Sequence, residues 1–344
     1  MTSIFKIRQA RNAFVKATDT GMLGKLLDVE PHKISLLSVQ PQYKVYKIPK
    51  KNRQWRLIED PDDELKDILK KLNFHLQAAY YYIRPDAVHG FCISDNREED
   101  RNIISNARRH IGQPFMLNID LRDFFHTIIR PKVYQIFETH FPKFDRSLLK
   151  TLTDLCCYRN RLPMGSPTSP VLSNYAALEM DHELTGFTDI CGITYSRFAD
   201  DLTFSSPKEI QLRDQKTIRE IISRHFIIHP EKDRYYTADD IKQVTGIIIK
   251  ENDIALPEKY LDQVNIEIGR LRQTMQVEAR YRTGMSRKKL ALFEQELRGK
   301  LNFAAMVMPD NESIDQLQEA VTAAMNPLED FESADWLDMP YTFF

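Results

Sequence analysis

The chain of 344 residues is long enough for about two domains or one multi-lobed fold. Its 42% hydrophobic and 28% charged residues exclude a disordered chain, a collagen and a membrane bundle, and no run approaches the ~20 apolar residues of a membrane span. The net charge of −1 conceals an asymmetry: Pro309–Phe344 carry nine acids and no Lys or Arg, so the remainder is basic. A basic body with an acidic tail suits a nucleic-acid binder, although uneven surface charge alone gives the same pattern. The N-terminus lacks the pattern of a secretory leader. The four cysteines (Cys92, Cys156, Cys157, Cys191) form no Cys-x-x-Cys pair, which argues against a zinc knuckle or disulfide framework and for a reduced, cytoplasmic setting.

In chain order, residues 1–40 read as helical and charged. Tyr43–Pro49 alternate aromatic or aliphatic side chains with lysine, as a half-exposed strand does. Lys50-Lys51-Asn52-Arg53 reads as a turn and Trp55–Ile58 as the returning strand of a hairpin. Pro61-Asp62-Asp63 opens a helix with Leu65, Ile68, Leu69 and Leu72 at helical spacing. Phe115–Ile119 is a compact apolar run expected to be a buried strand. Helices are expected over 146–158, 170–184 and about 208–225, with two strand-like runs over 193–206 and a buried strand at Ile247–Ile249. From 257 onward the pattern is helical, with a break near Gly284.

Three acids stand at expected strand ends: Asp120 after the first apolar run, and Asp200-Asp201 between Phe198-Ala199 and Leu202-Thr203-Phe204. Carboxylates flanked by apolar residues are costly to bury unless paired or bound to a cation. Three of them suit hard divalent ions, and two such ions about 4 Å apart can activate an attacking hydroxyl and steady a leaving pyrophosphate. Asp-Asp is also a common turn dipeptide, and Asp62-Asp63 and Asp239-Asp240 are read here as helix starts or loops. The 200–201 pair alone is therefore a weak signal.

Further motifs strengthen it. Asn118-Ile119-Asp120-Leu121-Arg122-Asp123-Phe124-Phe125 resembles motif A of reverse transcriptases, Leu162–Pro170 (with Met164-Gly165-Ser166-Pro167) resembles motif B, and Phe198-Ala199-Asp200-Asp201 is similar to motif C. Asn106-Ala107-Arg108-Arg109-His110 and Val244-Thr245-Gly246 resemble the N-A-x-x-H and V-T-G elements of bacterial retron reverse transcriptases. The resemblance covers roughly residues 43–305. Five motifs in the right order are specific where any single tripeptide is weak.

The resemblance implies an α+β right-hand polymerase with an antiparallel palm sheet and a helical thumb. The expected division is an N-terminal helical extension (1–42), fingers (43–113), palm (114–255, with a finger insertion at about 145–170), thumb (256–305) and acidic tail (306–344). It implies RNA-directed DNA synthesis with two Mg²⁺ ions and dNTPs, from a cognate non-coding RNA that is template and primer. Family members start from a 2′-hydroxyl of that RNA and leave a branched RNA–DNA product, msDNA. A role in anti-phage defence with a separate effector protein, and no membrane association, are also implied.

By residue, the resemblance gives Asp120, Asp200 and Asp201 to the metals. Lys232 becomes a proton donor to pyrophosphate, with a solvated loop lysine as the alternative. Lys50, Arg56, Leu121 (through its backbone N–H), Phe125 and Met164 fall to the nucleotide site. Phe125 takes the place of the steric gate against a 2′-hydroxyl; core packing is its alternative, because one of Phe124 and Phe125 must face inward. Asn106, Arg108, Arg109, His110, Val244, Thr245 and Gly246 are implied in RNA recognition, with structural roles open for Asn106, His110 and Gly246. Arg280, Arg282, Arg287 and Lys288 lie in a basic stretch that resembles a duplex-tracking thumb. The chain departs from the wider family at Met164, where many members have Gln, and at Phe198, where Tyr is usual. Rival readings are an intron-type reverse transcriptase, a palm-type nucleotidyl cyclase and a non-catalytic RNA-binding relic.

Overall fold

A computed structural model describes residues 2–49, 55–96, 100–281 and 287–325, without the side chains of Arg280, Tyr281 and Arg287. Lys50, Arg282 and the tail aromatics Trp336, Tyr341, Phe343 and Phe344 lie outside the described residues. The chain divides into two compact units, Met1–Thr245 and Gly246–Phe344.

The first unit begins with three helices, α1 (Ile4–Phe14), α2 (Thr20–Leu27) and α3 (Pro31–Val39). Side chains end the chain's freedom at each start: Ser3 accepts from the Lys6 N–H and Asp19 from the Met22 N–H, while Pro31 opens α3 with a preset φ. Strands β1 (Tyr43–Pro49) and β2 (Trp55–Pro61) form the expected antiparallel hairpin, with Lys44 opposite Asp60 and Ile48 opposite Arg56. The alternation in β1 predicts one buried face. Instead Val45, Tyr46 and Ile48 are all exposed, because this is a two-stranded ribbon anchored chiefly at its base, where Tyr43 stacks on Tyr158 at 4.2 Å. Helix α4 (Asp63–Tyr80) is capped by Asp62, whose carboxylate accepts from the Leu65 N–H at 2.9 Å. It buries Leu65, Ile68, Leu69, Leu72 and Leu76, each worth ~1.5–3 kcal/mol relative to exposure.

After α5 (Ile103–Arg108) comes β3 (Phe115–Asp120), then the short α6 (Phe124–Thr127), α7 (Arg130–His140), α8 (Arg146–Cys156) and α9 (Ser169–Cys191). Strands β4 (Thr194–Phe198) and β5 (Asp201–Ser206), helix α10 (Leu212–His225) and strand β6 (Arg234–Tyr236) follow. The four strands form one antiparallel sheet in the order β4-β5-β3-β6. Side chains alternate across it. Leu117, Ile119, Leu202, Phe204 and Tyr195 join a core that includes Leu172 of α9 and Ile218 and Ile222 of α10. By register, Asn118, Asp120, Asp201, Thr203, Ser205, Ser196 and Arg234 share the opposite, polar face. The site is built on that face. β7 (Lys242–Val244) ends the unit and lies against α5.

In the second unit β8 (Ile247–Ile249) pairs antiparallel with β9 (Ile254–Ala255), and α11 (Glu258–Tyr281), α12 (Arg287–Val307) and α13 (Glu312–Met325) pack on one another. Tyr260 donates to the Lys300 carbonyl at 3.1 Å, and Arg298 of α12 donates to the Thr322 hydroxyl of α13 at 3.3 Å. Ile314, Val321 and Ala324 are buried, so the acidic segment begins with a helix anchored in its own unit. Among the described residues, no helix is long and apolar enough to cross a membrane.

Candidate active site

Asp120, the last residue of β3, stands directly opposite Asp201, the first residue of β5. Opposed residues of an antiparallel pair hold their Cβ atoms ~4.5–5.5 Å apart, so the two carboxylates converge. Phe198 pairs with Asp201 across β4 and β5, which leaves Ala199-Asp200 as a two-residue turn. Such turns need a positive φ, supplied here by Ala199 at φ 58°. The Leu121 N–H donates to the Asp200 carbonyl at 2.9 Å and closes the turn against β3.

The electrostatics match a site short of positive charge. Desolvation raises the Asp200 carboxyl, and the Asp120 charge adds to this. Asp201 is pushed up to about 7 by desolvation, then by Asp200 and Asp120, although part of its surface reaches solvent. Lys232 Nζ donates to Asp120 Oδ2 at 2.7 Å. Partial desolvation opposes the Lys232 charge, but the bond to Asp120 and the surrounding acids hold its pKa above the ordinary lysine value. Among the described residues, no group of three or more His, Cys, Asp or Glu stands in a metal-holding arrangement; Lys232 supplies the counter-charge beside Asp120. Asp120 and Asp201 face each other across β3 and β5 with Asp200 in the adjoining turn, and carboxylate oxygens are the donor type that hard divalent cations take. A cavity of about 200 Å³ beside them is lined by Asn118, Asp120, Asp201, Thr203, Lys232 and Arg234. A larger hollow of about 420 Å³ is lined by residues of α7 and α9, including Lys132, Tyr175 and His182. None of the three acids lines it, so the chemistry belongs to the smaller cavity.

Residues that the sequence reading missed hold this hairpin. Arg197 of β4 and Asp181 of α9 form a fully buried ion pair, with Nε on Oδ1 at 2.8 Å and Nη2 on Oδ2 at 2.6 Å. Arg197 Nη1 also donates to the Ala199 carbonyl at 3.0 Å, gripping the turn from behind. Glu59, 0% exposed, ties the hairpin β1–β2 to motif B. Its N–H donates to the Met164 carbonyl at 2.8 Å, and its carboxylate accepts from Arg161 at 3.0 Å. The one sequence signal for both was a charge inside an apolar stretch, which carries no partner's address.

The other expected site residues divide. Phe124 is 3% exposed and belongs to the core, whereas Phe125 is half-buried at its margin. Arg56 is exposed, and its charge acts on Asp200. The expected use of the Leu121 N–H for a triphosphate is corrected: that group is bonded to Asp200, and the next N–H, of Arg122, is bonded to the Ile227 carbonyl at 2.8 Å. Direct RNA contact by Asn106, His110 and Val244 is likewise corrected, because all three are buried to 1% exposure or less. Burial gives them a supporting role beneath the polar face. Arg108 is exposed, Arg109 pairs with Asp86 at 3.0 Å, Thr245 lines the cavity and Gly246 is exposed with φ 86°. In α11 and α12, Arg270, Arg272, Lys288 and Lys289 are exposed.

His110 lies between the Ser205 and Ser196 hydroxyls at 2.6 and 2.7 Å, so one ring nitrogen donates and the other accepts only while the imidazole is neutral. Burial, with the Arg109 charge, pushes its pKa down to about 3. Between pH ~6.5 and ~3 the unfolded chain binds a proton that the folded chain refuses, so stability falls as the pH drops through that window. We expect the urea midpoint to decline from pH 7 to pH 5, and His110→Gln to decline less over the same interval. Equal declines would show that His110 does not contribute.

Residues 48–260 match the family described as "Reverse transcriptase (RNA-dependent DNA polymerase)". Retron Ec86 reverse transcriptase of Escherichia coli is 30% identical over 251 residues, covering 70% of this chain and 74% of that protein. The chain belongs to the retron reverse transcriptases. It is an RNA-directed DNA polymerase. Retron Ec83 reverse transcriptase of E. coli is 30% identical over 244 residues, covering 63% of this chain and 72% of that protein. For retron Mx162 reverse transcriptase of Myxococcus xanthus the identity is 27% over 243 residues, covering 60% and 47%. Among solved structures, telomerase from Candida albicans in complex with a telomeric RNA fragment aligns over 88% of this chain and 66% of that one. Its TM-score is 0.48 and its identity 11%, and the assignment rests on the family match instead. Reverse transcriptases use divalent metal ions and dNTPs and act on RNA templates.

Proposed function

We propose that this retron reverse transcriptase copies a cognate structured RNA, starting from a 2′-hydroxyl of that RNA, and makes msDNA. The observation that carries the reading is the convergence of Asp120 and Asp201 across β3 and β5, with Asp200 in the adjoining turn. These three acids would hold two Mg²⁺ ions, which when bound supply charge neutralisation and an activated hydroxyl. Arg56 holds phosphate oxygens of the incoming dNTP, aided by Lys50, Phe125 bars a 2′-hydroxyl from the sugar position, and Met164 belongs to the same nucleotide site. Lys232 leaves Asp120 and gives its proton to the departing pyrophosphate. Arg108, Arg109, Thr245 and Gly246 serve recognition of the RNA. The basic residues Arg280, Arg282, Arg287 and Lys288 grip duplex phosphates without reading bases.

The same reading divides the chain into an N-terminal extension (1–42), fingers (43–113), palm (114–255), thumb (256–305) and tail (306–344). It places the enzyme in the cytoplasm, in anti-phage defence, with a separate effector protein. The support is the family membership and the contact of α5, which carries Asn106-Ala107-Arg108, with β7, which ends in Val244. The test is the product. The enzyme purified with its RNA and given dNTPs should make DNA that stays joined to RNA after alkali-free denaturation and is released by a 2′,5′-debranching enzyme. DNA synthesis without a debranchable link would overturn the msDNA reading and leave the polymerase standing.

A further inference from the structure

Phe91 is held in a conformation that a bulky side chain rarely adopts, with φ 57°. Such a residue is strained and persists only where its surroundings over-determine it. Here they do. The Phe91 carbonyl accepts from Gln77 Nε2 at 2.8 Å, and the Gly90 carbonyl accepts from Asn174 Nδ2 at 3.0 Å. Asn174 Oδ1 in turn accepts from Arg197 Nη1 at 3.1 Å, the same nitrogen that holds the Ala199 carbonyl. Alongside, the His89 N–H donates to the Arg197 carbonyl at 2.9 Å, and the Arg197 N–H to the Ala87 carbonyl at 2.8 Å. Gly90 touches the Ala199-Asp200 turn so closely that a Cβ there would lie 2.5 Å from the Ala199 nitrogen. The segment Ala87–Phe91 is thus welded to the hairpin that carries Asp200 and Asp201.

What this bracing presents is one ring. Phe91 is half-buried, with its centroid 6.0 Å from Phe125 and 6.4 Å from Phe198, at interplanar angles of 43° and 41°. Both distances lie in the range where aromatic pairs attract and orient each other. The ring stands outside the buried core and is flanked by the residue assigned to the sugar and the first residue of motif C.

We propose that Phe91 is a positioning residue for sugar selection. It fixes the place of the Phe125 ring relative to the incoming nucleotide, so that discrimination against a 2′-hydroxyl belongs to a wall of three rings tied to the catalytic turn. This rests on the reading of Phe125 as the sugar-facing residue.

The test is single-nucleotide extension of a DNA primer on an RNA template by the full-length enzyme. It compares kcat/KM for a dNTP with that for the matching rNTP in the wild type, Phe91→Ala, Phe91→Tyr, Phe125→Ala and the double Ala variant. Phe91→Ala should lower the dNTP preference about tenfold, mostly through KM, as expected of a lost ring–ring contact. Phe91→Tyr, which keeps the ring, should stay near the wild type. The double variant should be no less selective than Phe125→Ala alone, because coupled residues are not additive. If Phe91→Ala does not fold, Phe91→Leu is read in its place, since it keeps apolar volume without the ring. A dNTP preference that falls in Phe125→Ala but not in the Phe91 variant overturns this proposal and spares the gate. A preference unchanged in both overturns the gate reading and this proposal with it.

Discussion

Asp200→Asn together with Asp201→Asn should abolish DNA synthesis, by at least ~10³-fold, the scale on which a principal electrostatic stabiliser of a transition state is lost. The fold should survive. Asp201 is exposed on the cleft side, and the hairpin is held by the backbone register of β4 and β5 and by the Arg197 grip, none of which uses the two carboxylates. Both carboxyls are raised by desolvation, Asp200 further by the Asp120 charge and Asp201 by Asp200 and Asp120, so neutralising them removes repulsion and should leave the melting temperature unchanged or higher. Primer extension, thermal melting and RNA binding measured on one preparation separate the effects. Retained extension would sink the catalytic assignment. Lost extension with a lower melting temperature would show that the acids build the hairpin rather than serve it.

Asp181→Asn should destabilise the enzyme by ~3–5 kcal/mol, the cost of leaving a buried charge without its partner, against a total of ~5–15 kcal/mol for an ordinary domain. Both Arg197 and Asp181 are 0% exposed. Desolvation works against the Arg197 charge and Asp181 overrides it; Tyr195 donates to the same carboxylate at 2.8 Å. Urea unfolding measures the loss, and a change under ~1 kcal/mol would show that the pair is dispensable. An Asp181→Leu, Arg197→Met enzyme distinguishes stability from function. Replacing a buried ion pair by apolar residues restores much of the stability, but Asn174 and the Ala199 carbonyl then lose their donor. This variant should fold and still copy RNA poorly.

The contrast between these two sites shows what was legible in the sequence. The hairpin with Asp200 and Asp201 at its tip follows from local signals: β-rich runs of period 2 on either side of an acid pair. Asp120 follows from the apolar run that ends at it. Apart from α5, α6 and α7, which the sequence reading did not anticipate, the helices follow from helical spacing and caps such as Asp62. These features depend on neighbours along the chain, so the residue order by itself determined them, and the motifs determined the family. The tertiary structure decided what depends on partners far apart in sequence. Which of Phe124 and Phe125 faces the core is set by Phe226 of the α10 end packing on Phe124 at 5.1 Å. His110 reads either as an RNA contact or as a buried structural group until the fold places two serines from β4 and β5 against its ring. The Leu121 N–H reads as a phosphate ligand until the turn carbonyl of Asp200 claims it. Asp181, Asn174 and Phe91 carry no local signature, and Arg197 only a charge in an apolar stretch that names no partner. Their roles arise from hydrogen-bond geometry and desolvation, which exist only once distant segments are packed together, and periodicity does not encode either.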